Sequence, residues 1–404
     1  MTEPFPFWAN LPVVRPTSVA DLGTLVRAVP TGQALYPRGG GTHSHEGRVP
    51  TTPGQIVDLT ALTQVIDYPA RDMTITVQAG LTLAALDAVL RQEQQRLPVD
   101  VPLPTRATLG GALSTNASGP RRLGHGTFRD YVIGLSAIND QGAEVKAGGR
   151  VVKNVAGYDL CKLLTGAWGT LGILTQLTFK LRPRPELTAV LPIGVTPDQV
   201  GPMLEALHAS RTGPCVATLV DATTARNCAA VPTSAGVLFV GFEAKAETVA
   251  WQLTQLPADL AAVGGVFGTI YRAAEAEQVL AVLADWPLTT PGNLGLKANL
   301  LPSELAPWLA TLLRTPENRV LAQVGNGSLS LRTTVADVGQ AQQLCKRWRV
   351  QVPITGNVVV DRCPAEWTPS LPIWGSPRPD VPLMRTIKAT LDPQGRLNPG
   401  RFVV

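Results

Sequence analysis

The sequence predicts an α+β protein of two domains, and three observations predict it. At 404 residues the chain is too long for one ordinary core and divides into parts of roughly 150–200 residues. Its first part reads as short strands joined by glycine-rich loops, whereas helix and strand candidates interleave between Glu186 and Cys363. Proline clusters mark both seams, at Arg182-Pro183-Arg184-Pro185 and along the segment from Pro364 to Pro382. The expected layout is a first domain over 1–185, an inserted α+β cap domain over 186–380, and a tail over 381–404 that packs back on the first domain.

Each element has a local reason. Met73, Ile75, Val77 and Ala79 alternate with Thr74, Thr76 and Gln78, the period of a strand, which Gly80 ends. Thr82 is placed to cap a helix carrying Leu83, Leu86, Val89 and Leu90, which Leu97-Pro98 closes. Ile173, Leu177, Phe179 and Leu181 share one face of a second strand, running up to the first proline seam. In the cap, Val200, Met203, Leu204 and Leu207 mark a helix. Val216–Val220, Val237–Phe242 and Leu294–Leu300 mark strands, so helices on one face of an antiparallel sheet are expected. After the proline-rich crossing comes a short helix from Leu383 to Leu391.

Composition excludes several classes. Hydrophobic residues at 45% and charged residues at 16% suit a globular chain, and a net charge of +5 from scattered Lys and Arg argues against nucleic acid. The five cysteines, Cys161, Cys215, Cys228, Cys345 and Cys363, form no Cys-x-x-Cys unit, which points to a reducing compartment and to no iron–sulfur cluster on this chain. Met1 to Asn10 lacks a basic start followed by an apolar core, and the longest weakly polar run, Ala258 to Ile270, is far short of the roughly 20 residues of a membrane helix. A cytoplasmic protein without a membrane span is expected, attached to a membrane only through partners if at all.

Three segments could carry chemistry. Tyr36-Pro37-Arg38-Gly39-Gly40-Gly41-Thr42 can turn successive N–H groups around a phosphate, although a loose turn explains it equally well. It is neither a P-loop nor a Rossmann fingerprint. Thr105 to Gly119 is dominated by small and hydroxyl residues, fit to lie beneath a planar ligand or to start a tightly packed helix. Gly157-Tyr158-Asp159-Leu160 and Gly166 to Ile173 place glycines just before a buried strand, where a ligand can approach the main chain.

In order and separation these segments, with Val152-Lys153-Asn154-Val155-Ala156-Gly157-Tyr158-Asp159-Leu160, resemble the FAD-binding domain of the vanillyl-alcohol-oxidase (PCMH-type) flavoproteins. The closing Leu391-Asp392-Pro393-Gln394-Gly395-Arg396-Leu397-Asn398-Pro399-Gly400 resembles that family's carboxy-terminal signature. The resemblance implies noncovalent FAD, since Thr42 rather than a histidine ends the glycine loop. It implies that Arg38, Gly39, Gly40, Gly41 and Thr42 hold the pyrophosphate, and that Thr108, Gly110, Gly111 and Ser114 line the flavin. Gly169, Gly172 and Ile173 would meet the adenosine part, and Asn398 would approach the isoalloxazine from the tail.

Within the family the likeness is to the flavin subunits of glycolate-oxidising complexes, carried by Ala117-Ser118-Gly119-Pro120-Arg121-Arg122 and by Trp168, where catalytic relatives usually have Glu. That branch implies a small 2-hydroxy acid substrate, a homologous catalytic flavoprotein partner and an iron–sulfur partner. The resemblance also implies histidines for a metal and the substrate within a stretch that is Ala322 to Ser330 here. Gln323 and Ser330 occupy those places, and both are poor metal ligands. No metal is expected, and no catalytic residue is nominated.

The four histidines have bland readings. His43 and His45 are expected to be exposed loop residues, His125 structural, and His208 a surface residue. Arg121 and Arg122 could steer a carboxylate or pair with an acidic partner surface. Tyr158 and Asp159 are expected to pack and hydrogen-bond rather than to catalyse.

Overall fold

The computed structural model describes residues 6–149, 158–353 and 356–403. Residues 152–157 of the run Val152 to Leu160 therefore lie outside the described residues. The chain forms two compact units: one of residues 2–118, 127–184 and 377–404, the other of residues 119–126 and 185–376. The short piece 119–126, read from the sequence as part of the first domain, belongs to the second unit.

The first unit is built on two larger sheets and one two-stranded pairing. Val13–Val14, Gly54–Asp58 and Ala34–Arg38 form a small parallel sheet with Gly54–Asp58 in the centre. Val65–Asp67, Thr74–Gln78, Ile173–Lys180, Val132–Ile138 and Glu144–Gly148 form an antiparallel one in that order. The two expected strands lie side by side there, with Ile75 opposite Phe179 and Val77 opposite Leu177. Their apolar side chains make one buried core with Leu83, Leu86 and Leu90 of the helix Leu83–Arg91.

Thr82 caps that helix as expected, its hydroxyl accepting from the Ala85 N–H. The helix ends at Arg91 rather than near Leu97. Gln94 takes a positive φ of 52°, and Gln95–Arg96 then pairs with Arg182–Pro183, so sheet pairing claims residues that periodicity assigns to the helix.

The second unit is a nine-stranded sheet whose named pairs are all antiparallel, with Leu187–Val195, Gly236–Ala244, Val216–Asp221 and Arg319–Gln323 adjacent in that order. Ser328–Thr333, Leu294–Asn299 and Asn357–Arg362 continue it. The expectation of helices on one face is corrected. Helices Val200–Ala209, Ala246–Leu260, Leu305–Leu312 and Val338–Gln351 cover one face, while Ala222–Cys228 and Ala273–Thr289 cover the other.

The physical reason lies in the central strands. In Leu187–Val195, Ala189, Leu191, Ile193 and Val195 enter one core while Val190 enters the other, so both faces are apolar and both need cover. The 17-residue helix Ala273–Thr289 has no counterpart among the elements expected from the sequence. Pro287 sits in the last turn, and its carbonyl accepts from the guanidinium groups of Arg332 (3.1 Å) and Arg362 (2.6 Å). Side chains thus satisfy a carbonyl that the helix end would leave exposed.

The proline-rich crossing holds only the 3-10 turn Ala365–Trp367, and the last helix runs Val381–Leu391 with Pro382 in its first turn, where proline is tolerated. Among the described residues, no helix is long and apolar enough to cross a membrane.

Candidate functional site

The parallel strand Ala34–Arg38 runs directly into Gly39, Gly40 and Gly41. A Cβ on Gly39 would lie 1.9 Å from the Thr108 hydroxyl, and one on Gly40 would lie 1.7 Å from the Arg106 carbonyl oxygen. Gly40 is required because the first loop lies against the main chain of the second, and Gly39 because it packs directly on the Thr108 side chain. Gly41 is required differently, by its φ of +69°. Among the described residues, the amides of Gly39, Gly40, Gly41 and Thr42 donate to no protein acceptor. The result is a row of N–H groups, an arrangement suited to an anion.

The second segment meets the first at Thr108. Its hydroxyl caps the short helix Leu109–Thr115 by accepting from the Gly111 N–H at 3.3 Å. Gly110 donates to the Ala79 carbonyl at 2.7 Å, and a Cβ there would come within 2.8 Å of the Ala79 side chain. Gly110 is thus a packing glycine.

The third segment is tied to the end of that helix. Gly166 donates to the Leu113 carbonyl (3.0 Å) and Trp168 to that of Ser114 (2.9 Å), with Trp168 and Gly169 both at positive φ. Asn398 closes the arrangement from the tail. It too has a positive φ, its main-chain N–H donates to Leu35 (2.8 Å), and its side-chain amide donates to the Trp168 carbonyl (2.5 Å).

The tail is held by buried polar groups. Asp392 accepts from the N–H groups of Arg396 and Leu397 and pairs with Lys388, whose ammonium also donates to the carbonyls of Thr170 (2.7 Å) and Leu397 (2.9 Å). Burial holds the Lys388 pKa below its ordinary value, against the pull of Asp392. Leu397 forms a parallel bridge to Leu35, so the tail extends the sheet beside the glycine loop.

Together these segments enclose a cleft with about 860 Å3 of space, its open mouth included. All thirteen residues nominated from the sequence line it: Arg38, Gly39, Gly40, Gly41, Thr42, Thr108, Gly110, Gly111, Ser114, Gly169, Gly172, Ile173 and Asn398. Trp8, Tyr36, Trp168 and Arg401 line it as well. Arg401 was not nominated and is the one cation there besides Arg38 among those lining residues. Its guanidinium donates to the carbonyls of Arg48, His43 and Ser44 and lies 5.0 Å from the Trp8 ring centroid. Burial lowers its pKa to about 10, so it is charged at neutral pH. Burial pushes Tyr36 up to about 12, which leaves a neutral phenol donating to the Thr52 carbonyl.

The remaining nominations separate. His45 is buried, and His43 pairs with Glu46 at 2.6 Å, which corrects the expectation of two exposed loop histidines. His208 is exposed as expected. Asp159 caps the helix Leu160–Leu164, whereas Tyr158 is exposed rather than packed. In the second unit, Arg121 is buried on Glu243 and Glu277 and presents no free surface to a substrate or partner. Gln323 and Ser330 lie on the adjoining strands Arg319–Gln323 and Ser328–Thr333.

Comparison with known proteins indicates the cofactor. The family described as FAD binding domain matches residues 11–148. The chain carries an FAD binding domain. A second match, to the C-terminal domain of FAD linked oxidases, covers residues 377–402, the tail that brings Asn398 and Arg401 to the cleft.

Among curated relatives, the Escherichia coli (strain K12) protein named glycolate oxidase subunit GlcE is 35% identical over 43% of this chain and 49% of its own length. The Bacillus subtilis (strain 168) protein named glycolate oxidase subunit GlcD is 38% identical over 39% of this chain and 33% of its own. An Archaeoglobus fulgidus protein named D-lactate dehydrogenase is 34% identical over 46% and 41%. The matched region thus spans about half or less of each of these relatives. In fold, a solved alkyldihydroxyacetonephosphate synthase matches 96% of this chain and 75% of its own with a TM-score of 0.69 at 18% identity.

The residues of the FAD binding domain fit the cofactor. Four unclaimed amides offer donors to a pyrophosphate, and Arg401 offers charge beside them. Asn398→Gly isolates the amide contact, since glycine keeps the positive φ and loses only the side chain. We expect FAD affinity to fall roughly 10-fold, the worth of one buried hydrogen bond, in a fluorescence titration. An unchanged affinity would dissociate the tail's amide from the site.

Proposed function

We propose that this chain is the FAD-binding subunit of a complex that oxidises glycolate to glyoxylate and passes the electrons to an iron–sulfur partner. The observation that carries the reading is the pair Gln323 and Ser330, where the family resemblance implies histidines. An amide and an aliphatic hydroxyl are poor bases, so a homologous flavoprotein partner takes the hydroxyl proton. The likeness to the relative named glycolate oxidase subunit GlcE supports the substrate and the assembly into a complex.

In this reading FAD is held noncovalently and supplies the two-electron acceptor that oxidation of a hydroxy acid needs. Arg38 and the amides of Gly39, Gly40, Gly41 and Thr42 hold its pyrophosphate. Thr108, Gly110, Gly111 and Ser114 line the flavin, Gly169, Gly172 and Ile173 meet the adenosine, and Asn398 approaches the isoalloxazine. Arg401 adds positive charge to the same cleft. The work of these residues is to bind and orient the cofactor and to limit its access to water.

The likeness to the relative named D-lactate dehydrogenase supports a second reading, a dehydrogenase acting alone on a small 2-hydroxy acid. An anaerobic flavin spectrum separates the two. Reconstituted with FAD and mixed with glycolate or D-lactate, the chain alone is expected to keep its absorbance and to lose it once the homologous flavoprotein is added. Bleaching by the chain alone would establish the second reading, and a chain that takes up no FAD would leave only a scaffold. Purification from the native host is expected to recover a second flavoprotein and a cysteine-rich polypeptide.

A further inference from the structure

The sequence places His125, Cys215 and Glu243 far apart, and no short motif connects them. The fold of the second unit brings them together. Val216 pairs with Gly241 on neighbouring strands, which sets Cys215 just before one strand beside Glu243 near the end of the other. The short helix Arg122–His125 comes down on them, with the Gly124 N–H donating to the Cys215 carbonyl at 3.0 Å. A Cβ on Gly124 would lie 2.4 Å from that of Cys215, so only glycine lets this turn approach the sheet closely enough to deliver His125.

The three ligand atoms then lie within 4.8 Å of one another: a ring nitrogen of His125, the sulfur of Cys215 and a carboxylate oxygen of Glu243. His125 Nε2 is 2.7 Å from Glu243 Oε2. The Glu243 side chain is 1% exposed and that of His125 12%. We propose that His125, Cys215 and Glu243 form a binding site for one zinc-class divalent ion, which leaves a coordination position for water or an exogenous ligand.

Chemistry and charge both support the set. Imidazole, thiolate and carboxylate together are the donors that tetrahedral zinc takes, and three protein ligands plus one open position is a recurrent arrangement. Arg121 places a positive charge beside the site, which Glu277 offsets. Its guanidinium contacts Glu277 through two hydrogen bonds of 2.6 and 2.7 Å, and that carboxylate balances its charge. A thiolate and the Glu243 carboxylate then balance a divalent cation. Arg121 Nε also holds Glu243 Oε1 at 2.7 Å, and Thr188 lies 3.5 Å from the same oxygen. Those contacts leave Oε2 directed at the histidine and orient the carboxylate, as outer partners of metal ligands commonly do.

The full-length chain, stripped with chelator under reducing conditions, tests this by titration with Zn2+ and with Co2+, in the presence and absence of FAD. One equivalent of either ion is expected to bind, and the cobalt form is expected to show a thiolate-to-metal charge-transfer band. Cys215→Ser is expected to remove the band and to weaken zinc binding by more than the roughly 10–100-fold that an outer partner is worth. Glu243→Gln, similar in shape, is expected to weaken binding while keeping the band. Absence of the band in the unsubstituted protein would overturn the proposal whatever the variants do, because it needs no variant to fold. A band that survives Cys215→Ser would assign the ion to another cysteine and overturn it too. The outcome is independent of flavin content, so it stands apart from the function proposed above.

Discussion

Gly40→Ala is expected to abolish FAD retention while leaving the second unit folded. The added methyl would lie 1.7 Å from the Arg106 carbonyl oxygen and 2.6 Å from its carbon, and the obstructing atoms are main chain that no rotamer can clear. Either the glycine loop or residues 106–107 must move by more than an ångström. That movement disrupts the row of amides from Gly39 to Thr42 and the contact with Thr108 together. Overpacking of this kind costs about 1–3 kcal/mol or more. We expect at least a 100-fold loss of FAD affinity, about 2.8 kcal/mol, measured by equilibrium dialysis, together with a lower Tm. Gly149→Ala is the control, since among the described residues nothing lies within 4 Å of its added Cβ. A Gly40→Ala protein that purifies yellow at full flavin stoichiometry would show that the loop is not held as described.

The second large effect is expected at Asp361, in the sheet of the second unit. Arg332 is 1% exposed, and its guanidinium meets the two Asp361 oxygens at 2.8 and 2.9 Å. The same group lies 5.2 Å from the Trp286 ring centroid and donates to the carbonyls of Leu331 and Pro287. Asp361→Ala removes the carboxylate and leaves the cation buried, which costs about 3–5 kcal/mol. Urea unfolding is expected to show that loss as a lower midpoint without a large change in slope. Adding Arg332→Met should recover much of it, because removing the guanidinium removes the unpaired buried charge. A single variant within about 1 kcal/mol of the parent would mean that water or another group already satisfies the guanidinium.

Legibility differed between the two units for physical reasons. In the first unit the glycine loops announced themselves, because a main chain that closely approaches another main chain or a ligand tolerates few other residues. Gly39 and Gly40 show how the functional and packing readings converge: they are needed for contact with residues 106–108, and that contact holds the amides in line. Arg401 was missed because nothing local distinguishes one arginine in a tail from another. Only the Leu35 to Leu397 bridge, which returns the tail to the strand beside the loop, puts its guanidinium in the cleft.

In the second unit, single-strand periodicity located Val216–Asp221 and Gly236–Ala244 closely, yet it could not tell how many faces would need cover. Two long helices, Ala246–Leu260 and Ala273–Thr289, had no counterpart in the expected elements, and each carries a proline near its C-terminal end, Pro257 and Pro287. His45 is buried by contacts that sequence spacing does not express.

By itself the sequence determined the α+β class and the glycine-dependent segments, because each depends on local backbone freedom or on short periodicity, while the family resemblance supplied the residues that meet around the cleft. Only the tertiary structure decided where Arg401 lies, that both faces of the large sheet are covered, and that His125, Cys215 and Glu243 share one place. Those outcomes depend on strand register and on which segments return to pair with which. Contacts between residues far apart in the sequence leave no periodic trace in the chain.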